Sequence, residues 1–270
     1  MAGSEKLQAA FQKGRVALVP YIAAGYPTLE EAYEVGEVYV EAGADVVEIG
    51  VPFSDPLADG PTIQNTTALA LKNGANLGYC LKLASHFADQ VPVVLLVYYN
   101  VVFSRGNEAF LGDAAGAGVS GLVIPDLPVD EAQGFREVAA EMGVAICPLA
   151  APTTTDDRLD RIVEVASGFV YCVSVVGVTG AREKLPSGAI ELLKRARART
   201  SVPLVLGFGI SSAGAAVEAA AEADGVIIAS KLMQIIAGEG PKGAGRWLEG
   251  VRSALDARDR EMGVKAGGEH

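Results

Sequence analysis

The chain has few of the residues on which most metal and redox sites depend. Its 270 residues include two histidines, His86 and His270, and three cysteines, Cys80, Cys147 and Cys172. The cysteines are far apart and none forms a CxxC pair, so neither a disulfide framework nor a zinc site is predicted. His86 falls in a predicted helix, where a surface position is the simpler interpretation. Any acid–base chemistry should therefore depend on carboxylates or tyrosines.

Positive charge and long apolar runs are also lacking. The 22 Lys and Arg residues face 33 Asp and Glu, which gives a net charge of −11. This balance argues against nucleic acid and anionic membranes as partners, and a phosphorylated ligand would need a local anion site. No apolar stretch approaches the length of a membrane span, and the N-terminus lacks the apolar segment of a secretion signal. We therefore expect a cytoplasmic protein.

Short β-branched runs alternate with stretches of helical character rich in Ala, Glu and Lys. Eight of these runs are almost continuously apolar, as in parallel strands that are covered on both faces. The predicted strands are 16–23, 45–49, 93–98, 121–124, 144–149, 169–174, 204–206 and 225–229.

Eight strand-then-helix units in a chain of this length predict a (β/α)8 TIM barrel of the α/β class. A doubly wound open sheet is the alternative, and the lack of a GxGxxG opening makes it less favoured. No linker or change of composition divides the chain, so we expect a single domain over residues 1–270. A helix within 1–15 should precede the first strand and cover the barrel floor, and 255–270 should be a frayed tail. The active site should lie at the C-terminal ends of the strands.

The most unusual segment is 45–64, DVVEIGVPFSDPLADGPTIQ. Glu48 lies near the end of a predicted buried strand, and Asp59 follows eleven positions later in a proline-rich loop. A buried charge is costly unless it is paired or used chemically, and two carboxylates in different environments can hold different pKa values. The alternatives are an ion-paired structural role for Glu48 and a turn-forming role for Asp59.

Two stretches that follow the last two predicted strands could hold a phosphate through backbone amides. They are 207–212 (GFGISS) and 229–231 (ASK). Glycines allow the main chain to approach an anion, and TIM barrels often bind phosphate after strands seven and eight. A helix cap by Ser211 or Ser212 is the alternative interpretation of GFGISS. The candidate phosphate-binding residues here are Gly207, Phe208, Gly209, Ala229 and Ser230.

The segment 45–64 resembles the signature of the tryptophan synthase alpha-subunit family. The resemblance extends from about Leu7 to Gly250 and is clear at 177–180 (GVTG) and 207–212. It implies a carbon–carbon lyase of tryptophan biosynthesis that cleaves indole-3-glycerol phosphate into indole and glyceraldehyde 3-phosphate. It further implies no cofactor or metal on this chain, and a beta-subunit partner that carries pyridoxal phosphate within an α2β2 complex.

The resemblance assigns roles to the candidate site residues. It gives Glu48 the general acid–base role, places Asp59 at the indole N–H, and puts Tyr171 near both carboxylates. Tyr21 and Tyr98 are candidate substrate-binding residues, although core packing is the default interpretation of both.

The resemblance also implies a mobile lid within 175–188, in which Thr179 contacts the Asp59 region and the Gly180 amide reaches the phosphate. Three positions depart from the family pattern: Tyr26, the pair at 175–176, and 229–231, where Lys231 could add a positive charge or face solvent. These departures bear on lid coupling and phosphate affinity. They leave the reaction class unchanged.

Two other functions remain open at this point. One is a free-standing lyase that releases indole without a partner. The other is a non-catalytic chain that only regulates a beta subunit, and the presence of both Glu48 and Asp59 argues against it.

Overall fold

The computed structural model of the protein describes residues 2–173, 185–207 and 209–267. Within these residues, nine strands form one sheet in which every strand pair is parallel. They are β1 (Ala17–Ala23), β2 (Val47–Gly50), β3 (Val93–Leu96), β4 (Val119–Val123), β5 (Ala145–Ile146), β6 (Leu149–Ala150), β7 (Val170–Val173), β8 (Leu204–Gly207) and β9 (Gly225–Ile228). The order across the sheet is β5-β4-β3-β2-β1-β9-β8-β7-β6.

The two outer strands of this order, β5 and β6, are consecutive in the chain, and they close the sheet into a barrel. Cys147 donates its backbone N–H to Leu122 of β4 (2.9 Å), and the carbonyl of Pro148 accepts from Tyr171 of β7 (2.9 Å). The predicted continuous strand 144–149 is therefore wrong, because the ladder breaks at Pro148, which has no N–H to donate. With β5 and β6 taken as one interrupted strand, the eight-stranded TIM barrel is confirmed.

Apart from the first helix, which precedes β1, the helices follow the strands and cover the outside of the barrel. Within the described residues they are α1 (Gly3–Ala10), α2 (Glu31–Glu41), α3 (Pro61–Lys72), α4 (Leu77–Phe87), α5 (Tyr99–Arg105), α6 (Asn107–Gly116), α7 (Gln133–Glu141), α8 (Asp156–Val165), α9 (Ser187–Arg197), α10 (Ala213–Ala219) and α11 (Ser230–Gly267). The last helix is broken at Gly240, where φ is 70°, and Pro241 begins its second half.

Residues 255–267, which were expected to belong to a frayed tail, instead form the end of α11. Leu255 is fully buried, and the Asp259 carboxylate accepts from the backbone N–H of Val16 at 2.9 Å. The charged composition of this segment hid the apolar face with which the helix packs on the barrel.

The barrel interior is filled by apolar side chains from the strands, and α1 closes its floor as predicted. Leu7 of α1 is fully buried among the interior residues Val94, Val123 and Phe169. The helix is fixed by the Ser4 N–H, which donates to the carbonyl of Gly143 at 2.8 Å.

An ion-paired carboxylate fixes the chain just before β2. Asp45 is fully buried and lies before the strand that was predicted to include it. Its oxygens bind Lys13 (3.0 Å), Arg15 (2.8 Å) and Arg252 (3.2 Å), and they accept from the Leu18 N–H (3.1 Å). The cluster therefore joins the N-terminal segment, β2 and α11 at the end of the barrel opposite the candidate site.

Candidate active site

Glu48 lies on β2 and points into the barrel at the C-terminal end of the strands. Glu48 is 1% exposed, and within the described part of the chain neither of its carboxylate oxygens has a hydrogen-bond partner. Burial, followed by the charge of Asp59, raises the pKa of Glu48 to about 8. The group is therefore mainly protonated at neutral pH and can act as an acid. Glu48 has no ion-pair partner among the described side chains, which argues against the alternative of a structural, ion-paired glutamate.

Asp59 lies in the loop between β2 and α3, and hydrogen bonds hold its backbone. Its N–H donates to the carbonyl of Pro56 (3.1 Å), and its own carbonyl accepts from the side chain of Gln64 (3.0 Å). Burial raises the pKa of its carboxyl group to about 6, against the lowering effect of a hydrogen bond with Tyr98. The backbone thus forms the turn that its sequence favours, while Asp59 lines the same pocket as Glu48 and its charge acts on that residue.

Tyr98 positions the loop that carries Asp59. Its hydroxyl accepts from the backbone N–H of Ala58 (3.0 Å), and its ring stacks on Phe53 with centroids 5.1 Å apart. The structure therefore places this predicted substrate-binding residue against the loop, where it acts on the Asp59 carboxylate.

Tyr21 and Tyr171 are buried beside the two carboxylates, and each needs a glycine next to it. An ideal Cβ at Gly50 would lie 2.5 Å from Cζ of Tyr21, and one at Gly207 would lie 2.5 Å from Oη of Tyr171. Burial first, and then the charges of Glu48 and Asp59, raise the pKa of both phenols well above the usual value. Both are therefore neutral at physiological pH. Gly207, predicted to bind phosphate, makes room for a tyrosine ring.

The connections that follow β8 and β9, with the start of α11, form the other side of the same pocket, which measures about 760 Å³ with the solvent space at its mouth. Ser212 caps α10 by accepting from the Ala215 N–H (3.1 Å), so the helix-cap interpretation holds for that serine. The residues before it line the pocket together with the first residues of α11. This side of the pocket consists of Gly209, Ile210, Ser211, Ala229, Ser230, Lys231 and Gln234.

Several lining residues were not predicted from the sequence: Thr62, Ile63, Leu96, Ile227 and Gln234. Two signals could have found some of them. Leu96 lies two positions after the interior residue Val94, and alternate residues of a strand share one face. Gln234 follows Ser230 by four positions in a helix, which places both on one side.

Some predictions fall outside what the structure describes, namely those for Thr179, Gly180 and Phe208 and those for residues 175–184 of the expected lid. Across residues 2–173, 185–207 and 209–267, no group of three or more His, Cys, Asp or Glu side chains could hold a metal ion. No helix in the same ranges is long and apolar enough to span a membrane.

Comparison with known proteins gives one consistent family. A family model described as tryptophan synthase alpha chain matches residues 7–254. The tryptophan synthase alpha chain of Roseiflexus sp. (strain RS-1) is 47% identical over 226 residues, covering 83% of this chain and 87% of the relative. The alpha chain of Xanthomonas euvesicatoria pv. vesicatoria (strain 85-10) is 43% identical over 254 residues, covering 91% of this chain and 95% of the relative.

Solved structures agree with the sequence relatives. A chain of Mycobacterium tuberculosis tryptophan synthase superimposes with a TM-score of 0.88 at 35% identity, covering 92% of this chain and 97% of that one. A chain of the α2β2 tryptophan synthase complex from Pyrococcus furiosus gives a TM-score of 0.83 at 38% identity, covering 90% of this chain and 99% of that one.

Proposed function

Because the chain belongs to the tryptophan synthase alpha-chain family, we propose that Glu48 and Asp59 carry the acid–base chemistry of its lyase reaction. That reaction, a step of tryptophan biosynthesis, is the retro-aldol cleavage of indole-3-glycerol phosphate into indole and glyceraldehyde 3-phosphate. The observation that carries the proposal is the burial of Glu48, without a hydrogen-bond partner among the described residues, beside Asp59 in one pocket.

The first step is protonation of the indole ring at C3 by Glu48. Its raised pKa, about 8, keeps the carboxyl group protonated at neutral pH. Protonation places positive charge on the ring nitrogen, where the N–H becomes a stronger donor. Asp59, whose pKa is about 6, is ionised at neutral pH and accepts this hydrogen bond. The carboxylate thereby stabilises charge that develops only along the reaction path.

The second step breaks the bond between C3 and the side-chain carbon that bears the hydroxyl group. The Glu48 carboxylate, which has just lost its proton, removes the hydroxyl proton. The O–H electrons form the aldehyde carbonyl, and those of the C–C bond return to the ring to restore neutral indole. Glu48 ends the cycle protonated, as it began. General acid–base catalysis of this kind contributes about 10²–10⁴-fold to a rate.

The remaining site residues hold the substrate in this proposal. Tyr171 contacts the reacting part of the substrate as a neutral phenol, and Tyr21 supports Glu48 from the adjacent strand. The amides of Gly209, Ala229 and Ser230 surround the phosphate at the far side of the pocket. Gly207 and Phe208 complete that stretch in the proposal, which also gives Gly180 a role at the phosphate and Thr179 a role at the Asp59 loop.

We further propose that the chain works with a beta subunit that carries pyridoxal phosphate, in an α2β2 complex, and needs no cofactor of its own. The similarity to a chain of the Pyrococcus furiosus α2β2 complex supports this proposal. A single domain over residues 1–270 and a cytoplasmic location belong to the same proposal.

The test is an assay of indole release from indole-3-glycerol phosphate by the purified chain, with and without a tryptophan synthase beta subunit. We expect slow release alone and acceleration by the partner. Fast release that the partner does not change would indicate a free-standing lyase. No release in either condition would overturn the catalytic proposal in favour of a regulatory chain.

Two variants test the residue roles in the same assay. Glu48→Gln should abolish release, and Asp59→Asn should lower it by orders of magnitude, with unfolding still cooperative in both. Glu108→Gln, at an exposed position on α6, is the matched control and should keep full activity. Substantial turnover by Glu48→Gln would remove Glu48 from the acid–base role. If Asp59→Asn mainly unfolded the protein, Asp59 would be a turn former only.

A further inference from the structure

Among the described residues that line the pocket, Lys231 is the single cationic side chain. It is the second residue of α11 and is partly buried. It lies beside Ser230, whose amide belongs to the proposed phosphate site, and on the pocket side of the helix with Gln234. Lys231 thus brings a positive charge to the lining of a pocket that also contains two carboxyl groups, Glu48 and Asp59.

The charge of Lys231 is not used within the protein, as far as the described residues show. None of the ion pairs among them involves Lys231. The pKa of Glu48 responds to burial and to Asp59, and that of Asp59 to burial and to Tyr98; no cation contributes to either. Among the described residues, the ammonium group of Lys231 therefore has no ion-pair partner, and neither carboxyl group is coupled to it.

The position of Lys231 in the helix is unfavourable unless an anion binds there. Positive side chains in the first turn oppose the helix dipole, which places partial positive charge at the N-terminus. No acidic residue occurs in the first turn of α11 to compensate. An anion at this point would interact favourably with both the ammonium group and the unpaired backbone N–H groups of the first turn.

We propose that Lys231 binds the phosphate group of the substrate directly, and that it makes this site selective for a phosphorylated substrate. The inference rests on the proposed function, and it adds a charged ligand to the backbone amides already described. With a net charge of −11, the protein repels a dianion at long range, so a local cation has a larger effect on binding. An ammonium–phosphate contact is stronger than a neutral one and weakens with salt.

Two substitutions of Lys231 separate its charge from its bulk. Lys231→Met keeps a long apolar stem and removes the charge, whereas Lys231→Arg keeps the charge. Lys242→Met, at an exposed position of the same helix, is the matched control. Each variant is assayed for indole release from indole-3-glycerol phosphate and from the same compound without its phosphate, and inorganic phosphate is used as a competitive inhibitor.

We expect Lys231→Met to raise the KM for the phosphorylated substrate by about 10- to 100-fold with little change in kcat, since a hydrogen bond to a charged group contributes free energy of that size. Phosphate inhibition should weaken by a similar factor, and the KM should respond less to salt. Cleavage of the dephosphorylated compound should be unchanged, and Lys231→Arg should retain most of the affinity. A change in KM below about twofold, or an equal loss with both substrates, would overturn the proposal.

Failure of this inference can be distinguished from failure of the proposed function. If the wild-type chain releases no indole, the lyase proposal fails, but calorimetric titration of inorganic phosphate into the wild-type and Lys231→Met proteins still tests the phosphate site. Weaker binding by Lys231→Met, with Lys242→Met equal to wild type, would support the inference. Equal binding by all three proteins would refute it.

Discussion

The ring of Tyr171 occupies the space in which a side chain at position 207 would lie. An ideal Cβ on Gly207 would be 2.5 Å from the Tyr171 hydroxyl oxygen. The two residues are on neighbouring strands, β7 and β8, and Tyr171 is 3% exposed. A residue without a side chain at the end of β8 therefore determines where the phenol lies relative to Glu48.

Substitution of Gly207 by Ala should displace Tyr171 and disturb the site. We expect kcat to fall by about 10-fold or more and the free energy of unfolding to fall by about 1–3 kcal/mol, as in other overpacked cores. Steady-state kinetics and urea denaturation measure the two effects. Gly112→Ala is the control, because a Cβ there meets nothing within 4 Å and the residue lies in a helix, so stability should hold or rise. Unchanged activity in Gly207→Ala would show that the position of Tyr171 is not critical.

The two carboxyl groups predict a bell-shaped dependence of kcat/KM on pH. Activity requires Asp59 ionised and Glu48 protonated, so it should rise as pH passes about 6 and fall as pH passes about 8. Because the two groups interact, the measured values belong to the pair. The rate of indole release across pH 5–9 measures both limbs. An acid limb alone, with no loss at high pH, would contradict the requirement for protonated Glu48.

Tyr98→Phe tests the assignment of the acid limb. Its hydroxyl group lowers the pKa of Asp59 through a hydrogen bond. Removal of that group should raise the pKa of Asp59 and move the acid limb to higher pH, while the basic limb stays in place. A shift of both limbs together would indicate a general change in the pocket.

The cost of keeping Glu48 buried should be visible in the stability of the protein. Its pKa is about 8 in the fold against 4.5 for a free glutamate. The contribution of Glu48 to the free energy of unfolding is fully present below pH 4.5 and is lost as the pH rises through about 8. Between these values the unfolded chain releases the proton and the folded chain retains it. Glu48→Gln has no proton to release. Its free energy of unfolding should therefore exceed that of wild type by up to about 3 kcal/mol at pH 7.

Chemical denaturation at several pH values measures this effect, and the difference between the two proteins should shrink toward pH 4. Glu108→Gln, with an exposed side chain, should follow wild type at every pH. A difference that does not depend on pH would mean that the Glu48 pKa is not raised in the folded state.

Apolar periodicity predicted the barrel because parallel strands covered on both faces need nearly continuous apolar runs. It also located Glu48, a carboxylate inside an apolar run, whereas Asp59 was found from the proline-rich loop that follows and from the family resemblance. The predicted strand 144–149 missed the interruption at Pro148, although a proline cannot donate to a ladder.

Other features depend on contacts between distant segments and leave little trace in local sequence. That Gly207 leaves space for the ring of Tyr171 can be predicted only when the order of the strands is known. The burial of Leu255 and the hydrogen bond from the Val16 N–H to Asp259 can be predicted only when the packing of the last helix is known. The place of Lys231 in the pocket lining likewise follows from the placement of α11.

The final prediction concerns Asp45, which joins both ends of the chain to β2. Asp45→Asn would leave Arg252, whose side chain is 7% exposed, without one of its two acidic partners. Breaking a buried ion pair by removing one charge costs about 3–5 kcal/mol. We expect a loss of that size in urea denaturation, with kcat nearly unchanged at temperatures where the protein remains folded, because the cluster lies at the end of the barrel opposite Glu48. Asp130→Asn is the control: its pairs with Arg158 and Arg161 are exposed, so the loss should stay below about 1 kcal/mol. Similar small losses in both variants would mean that the buried cluster contributes no more than a surface pair.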